Sequence, residues 1–218
     1  MDKELTKLRK SYEKNLLNEI KEIIKASDWN KYQDTIFKEV DGLFFVVSIR
    51  PSLIKTSTAF QIRVKPMSID PLLWDIMGMP ENRQETLSFR AWAAFRCDEI
   101  PLHSSIMEVD DAYDFKEVAV RIFNWANTSI EECREELLEK RFSDFVKADQ
   151  DHIKEGAYVS TLITSLIAED DLKEAFKEAQ SYESGEKNSC SSMNKDGRSF
   201  FTHTLEWLSD HDYDANKA

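Results

Sequence analysis

The sequence predicts an α+β protein: an N-terminal helix, an antiparallel β-sheet of about four or five strands, and then a C-terminal block of helices. Three observations predict it. Apolar residues recur every three or four positions at the start of the chain, switch to alternating or continuous apolar runs from Thr35, and return to helical periodicity from Tyr113. That order, with strands grouped rather than alternating with helices, is not the βαβ pattern of a parallel sheet. With 218 residues the chain fits one core, so a single domain over 1–218 is expected, helix plus sheet in 1–110 and acidic helices in 111–218.

Taking the elements in order, Leu5, Leu8, Tyr12, Leu16, Ile20 and Ile23 form one face of an amphipathic helix over 3–25. After the break ASDWNKYQD, three runs have strand character: Thr35 to Val40, Gly42 to Arg50, and Ser57 to Lys65. Asp41-Gly42 between the first two is a hairpin signal, because both residue types accept the positive φ of a tight turn. Phe44 to Val47 is apolar on both faces, which marks a central strand. Pro71, preceded by Ser68 and Asp70 as cap-type residues, starts a short helix. The stretch TLSFRAWAAFRC, 86–97, alternates apolar Leu87, Phe89, Ala91, Ala93 and Phe95 with Ser88, Arg90, Trp92 and Arg96, and reads as a further strand. SSIMEV supplies an edge strand.

From Phe115 to Phe145 one apolar stripe runs at helical spacing, and Ser129 with Glu132 has the form of a capping box, predicting two helices broken near Asn127. Another helical segment spans Ala157 to Ala179, a polar loop occupies about 181–197, and Phe200, Phe201, Leu205 and Leu208 mark a last helix.

Charge is unevenly distributed. Residues 1–97 carry 16 Lys+Arg against 13 Asp+Glu, whereas 98–218 carry 13 against 28. Strong acidity disfavours a nucleic-acid partner for the second half and favours a basic protein partner by electrostatic steering. Glu131, Glu132, Glu135, Glu136, Glu139 and Asp144 are the candidate partner-binding residues. The competing reading is that these acids keep a helical surface soluble.

No catalytic signature is present. The five glycines stand far apart, which excludes the clustered N–H groups of a phosphate cradle. There is no G-x-S-x-G elbow and no H-E-x-x-H helix. The four histidines lie in different segments; Cys97 and Cys133 read as core residues, and Cys190 has only Lys187 nearby to help it ionise. Glu108, Asp110, Asp111 and Asp114 form an acidic cluster before a helix, but without the glycine of a calcium loop, and acids there also suit the helix dipole. No catalytic residue, metal or cofactor is assigned, and the chain reads as a non-enzyme, although a site assembled from dispersed residues stays open. Three widely spaced cysteines, no apolar run of 18 residues and a charged N-terminus point to the cytoplasm and away from a membrane.

The remaining feature is basic. If the strands pair as neighbours, Arg63, Arg90, Trp92 and Arg96 share one sheet face with Arg50, Gln61 and Lys65. Such a face can bind a nucleic-acid strand by phosphate contact and stacking. The alternative, favoured here, is that the guanidiniums stack on Trp92 and pair with the protein's own acidic helices, such as IEECREELLEK.

An amphipathic N-terminal helix followed by the hairpin LFFVVSIRPSLIKTSTAFQIRV resembles, over about the first 110 residues, a family of uncharacterised bacterial domains whose relatives include immunity proteins of polymorphic toxin systems. The resemblance implies a small acidic protein that neutralises a basic toxin by occluding its active site. It carries no site residues with it.

Overall fold

The computed structural model describes residues 3–52, 57–108, 114–189 and 193–211. The order of elements is α+β, as the sequence predicts: a helix, a five-stranded antiparallel sheet, and a block of helices. The chain divides into two compact units, one built from Met1–Val64 and Pro101–Glu136, the other from Lys65–Ile100 and Leu137–Ala218.

In the first unit, α1 (Lys3–Ile24) buries Leu16 and Ile20, the centre of the stripe read from the sequence. The sheet runs β1 (Asn30–Tyr32), β2 (Thr35–Val40), β3 (Leu43–Ser52), β4 (Ser57–Pro66) and β5 (Ile100–Glu108), in chain order. Val40 pairs with Leu43, so Asp41 and Gly42 are the two turn residues, at φ 51° and 78°. Those angles are the reason for Asp-Gly there, since a two-residue hairpin loop with right-handed twist needs both residues left-handed. In β3, Phe44, Phe45, Val46 and Val47 are fully buried, consistent with the middle place in the sheet. The three-residue β1 lies in what the sequence suggested was only a break.

Helix α4 (Phe115–Glu139) packs Val118, Ala119, Ile122, Phe123, Ala126 and Ile130 inward. Trp125 meets Phe60 of β4 edge-on at 4.7 Å, and Trp29 meets Phe123 at 5.9 Å while its indole N–H donates to Asn127 Oδ1. Tyr12 joins α1 to β4 through Thr58 Oγ1, 2.9 Å away, and stacks edge-on with Phe115. The break expected near Asn127 does not occur. Ser129 is buried within the helix, and the apolar stripe passes through it uninterrupted, so the Ser-x-x-Glu pattern caps nothing. The true N-terminal cap is Asp114, whose carboxylate accepts from the Lys116 and Glu117 N–H groups.

The second unit contains α2 (Ile69–Ile76), a 3₁₀ turn (Pro80–Gln84), α3 (Phe89–Trp92), α5 (Phe142–Ala148), α6 (Gln150–Lys154), α7 (Val159–Ala168), α8 (Leu172–Glu183), the hairpin β6 (Asn194–Lys195) and β7 (Arg198–Ser199), and α9 (Phe200–Asp210). Helix α7 is its hub: Val159 to Ile167 are all buried, and α2, α5 and α8 pack around it. An all-round buried helix is what the continuous run VSTLITSLI encodes. The segment expected over 157–179 divides into α7 and α8 at Glu169–Asp171, where Asp170 takes φ 62° and Asp171 caps α8 by accepting from Glu174 N–H. Arg141 clamps the turn, reaching Glu169 and Asp171 at 2.9 Å each. Ser68 occupies the N-cap of α2 but makes no side-chain cap bond.

Two expectations need correction here. Residues 86–97 are not a strand: the chain forms α3 and then an irregular run up to β5. The segment expected as a polar loop over about 181–197 contains regular structure, with α8 extending to Glu183 and β6–β7 forming a hairpin. Lys195 on that hairpin donates to the carbonyls of Met77 and Gly78 at 2.9 Å each, satisfying the C-terminal end of α2. Cys190 in this loop lies outside the described residues, as do Asp110 and Asp111 of the acidic cluster.

Candidate functional site

The basic residues singled out in the sequence separate into two places. Lys65, near the end of β4, is fully buried, and its ammonium is held by Asp70 at 3.0 Å, by Glu99 at 3.4 Å, and by the carbonyls of Arg90 and Cys97 at 2.8 and 2.7 Å. Arg90 reaches Asp70 at 3.3 Å and the Met67 carbonyl at 3.0 Å, with its guanidinium 5.2 Å from the Trp74 ring centre. Arg96 pairs with Glu99 at 2.9 Å and Asp98 at 3.4 Å. Asp70 also accepts from the Cys97 N–H at 2.8 Å. Three cations therefore surround two fully buried carboxylates, all within residues 65–99.

This network explains why 86–97 is not a strand. Lys65 takes the carbonyls of Arg90 and Cys97, and the indole N–H of Trp74 takes that of Phe95 at 2.7 Å, so these backbone acceptors serve side chains instead of a ladder. Phe89 packs on Trp74, while Ala93 and Cys97 are buried. Trp92 is half-exposed on α3 with Phe89 edge-on beside it, and the ring beneath Arg90 is Trp74. Arg90 and Arg96 are paired internally, and their ion-pair partners among the described residues are Asp70 for Arg90 and Asp98 and Glu99 for Arg96, all within 65–99 and outside IEECREELLEK.

Arg63 lies in the first unit, donating to Ser48 Oγ at 2.7 Å. It shares the open face of the sheet with Gln61, which donates to Ser104 Oγ at 3.2 Å, and with exposed Arg50. A hollow of about 220 Å³ lies there, lined by Ser48, Arg50, Gln61, Ser104 and Ile106 among others. Phe60 also lines it, but that ring is buried against Trp125, and Trp92, expected on this face as a platform for base stacking, belongs to α3.

The two described thiols, Cys97 and Cys133, are both pushed away from ionisation. Burial, and then the negative charge of Asp70, push the Cys97 thiol well above its ordinary range. Cys133 lies 3.2 Å from His103 Nε2, but partial burial and the carboxylates of Glu132 and Glu136 push its thiol upward too, away from a thiolate–imidazolium pair. Among the described residues no group of three or more His, Cys, Asp and Glu is arranged to hold a metal ion. At pH 8 a disulfide reagent should leave Cys97 untouched in the native protein and label it once urea unfolds the chain; rapid native labelling would refute its burial. Because the folded thiol holds its proton where an unfolded one at about pH 8.5 releases it, this contribution to stability is complete below that pH and declines as pH rises above it.

The acidic residues are arranged differently. Glu131, Glu132, Glu135, Glu136 and Glu139 are all exposed, on the outer face of the last turns of α4 at about 100° per residue. Glu139, like exposed Asp144 of α5, belongs to the second unit's share of the chain. Within the first unit's share, the nearby cation Arg134 is engaged by Asp41 at 3.0 Å. No ion pair among the described residues takes Glu131, Glu132 or Glu135.

These features define an α+β protein with a buried ionic cluster and an exposed acidic helix face. No family model, curated protein or solved structure matches the chain. No helix among the described residues is long and apolar enough to cross a membrane.

Proposed function

We propose that the chain is a non-enzymatic binding protein that receives a basic protein surface on the acidic face of α4. One observation carries the reading: Glu131, Glu132, Glu135 and Glu136 stand exposed on about two turns of one helix, and the neighbouring Arg134 is turned to Asp41. Such a face steers a cationic partner and sets its orientation. A basic toxin domain is the partner class that the resemblance to immunity proteins implies. The free thiols of Cys97 and Cys133 suit a cytoplasmic setting.

The test is affinity purification of the tagged chain from its own cells at low and moderate salt, followed by mass spectrometry. The expected result is one basic protein in near-equal amount. Replacing Glu131, Glu132, Glu135 and Glu136 together by Gln should then weaken that complex by about 100-fold at low salt, summing roughly 0.7 kcal/mol for each exposed charge. Recovery of no protein at either salt, or an affinity that the quadruple variant leaves unchanged, would sink the reading.

A further inference from the structure

The sheet has two edges of unequal kind. β1 is three residues long, whereas β5 runs for nine, Ile100–Glu108. Natural edge strands are ordinarily blunted by lysines, prolines, bulges or a covering element. β5 carries one proline, Pro101, near its start, and no lysine. Among the described residues no backbone group of a loop or helix hydrogen-bonds to the backbone of Leu102–Met107. The side chains alternate: His103 turns toward Cys133 of α4, whereas Ser104 faces Gln61 on the open side together with Leu102 and Ile106. Ile106 is 69 % exposed, the most exposed large apolar side chain among the described residues.

We propose that β5 pairs with β5 of a second copy of this chain, antiparallel and centred on Ser104. The occupant follows from the strand's own pattern. Pairing through a two-fold axis perpendicular to the sheet sets Ser104 opposite Ser104 of the copy and Leu102 opposite Ile106, twice over. Each exposed Ile106 gains an aliphatic neighbour on the same face. His103 falls opposite Ser105, and no Asp, Glu, Lys or Arg lies within Leu102–Met107, so the copies bring no like charges together. Every side chain stays on its own face, and the two sheets become one. A foreign strand would meet the same backbone edge but not the reciprocal Leu–Ile pairs. This pairing is independent of the acidic face of α4.

Two short strands bury less than the roughly 1,200 Å² of a stable complex, so the dimer is weak and is read by sedimentation equilibrium from about 5 to about 500 µM. The expected result is a monomer–dimer equilibrium that Ile106→Lys weakens at least tenfold; this side chain is exposed, so the variant keeps its core. Ser104→Cys should form a covalent dimer under mild oxidation, because directly opposed Cα atoms about 4.5–5.5 Å apart are within disulfide reach. Ile106→Cys, opposite Leu102, should form far less, with the parent chain as the control for its own cysteines. A monomer at every concentration overturns the proposal. So does a dimer indifferent to Ile106→Lys, or a Ser104→Cys protein that cross-links no faster than its parent.

Discussion

Lys65→Met should lower the free energy of unfolding by about 3–5 kcal/mol, read as a fall in the urea midpoint at unchanged slope. Methionine fills nearly the same space, so the loss is electrostatic. Asp70 and Glu99 are both fully buried, and the ammonium between them is the cation nearest to Asp70. Without it Asp70 is left with Arg90 and Glu99 with Arg96, the Arg90 carbonyl loses the donor Lys65 supplies, and the Cys97 carbonyl keeps only the longer bond from Arg96 at 3.3 Å. Removing one partner of a buried ionic set is costly because the remaining charges have no water to turn to. The triple variant Lys65→Met, Asp70→Asn, Glu99→Gln separates charge from shape and should recover part of the loss. A cost below about 1 kcal/mol for Lys65→Met alone would mean that the cluster is hydrated in solution.

Trp74→Ala should cost a similar amount, about 3–5 kcal/mol, for a different reason. Trp74 is 1 % exposed, touches Phe89, carries Arg90 on its ring and donates to the Phe95 carbonyl. Truncation opens a cavity and releases the segment 89–95 from the helix that holds it. Trp74→Phe keeps most of the volume but leaves the Phe95 carbonyl unbonded, a loss of about 1–3 kcal/mol. Amide exchange resolves the local effect: protection in α2 and α3 should fall more for Ala than for Phe. Equal protection in both variants would show that 89–95 is held by something other than this ring.

What the sequence disclosed depended on how local the determining contact was. The β2–β3 hairpin was legible because Asp41-Gly42 and the apolar block after it act within a dozen residues. The α4 stripe and its outward glutamates were legible because period and exposure are the same information on a helix. Residues 86–97 were not, since their conformation is decided by Lys65, Asp70 and Trp74, about 20 or more residues upstream. The alternation there was real but rested on Ala91 and Ala93, which contribute little to a sheet. A partial signal existed in Asp70 of the apolar helix IDPLLWDI, since buried acids require cations, but Asp75 shares that helix and Asp98 precedes Glu99, so nothing local singles out the buried pair. The condition for a shared basic face, Arg63 and Arg90 on neighbouring strands, is not met because Arg90 lies on α3.

Neither unit is a continuous stretch of chain: the second opens with Lys65–Ile100, is interrupted by 101–136, and resumes at Leu137. A ribosome adding about 5–20 residues per second therefore releases α2 several seconds before α7, the helix it packs on, exists. The carbonyls of Met77 and Gly78 wait longer still for Lys195, which is 118 and 117 residues away. During that interval Leu73 and Trp74 are apolar surface without a core, and a nascent chain stalled before residue 159 holds them in that state. Chaperone demand during synthesis is thus written into the order in which the segments emerge.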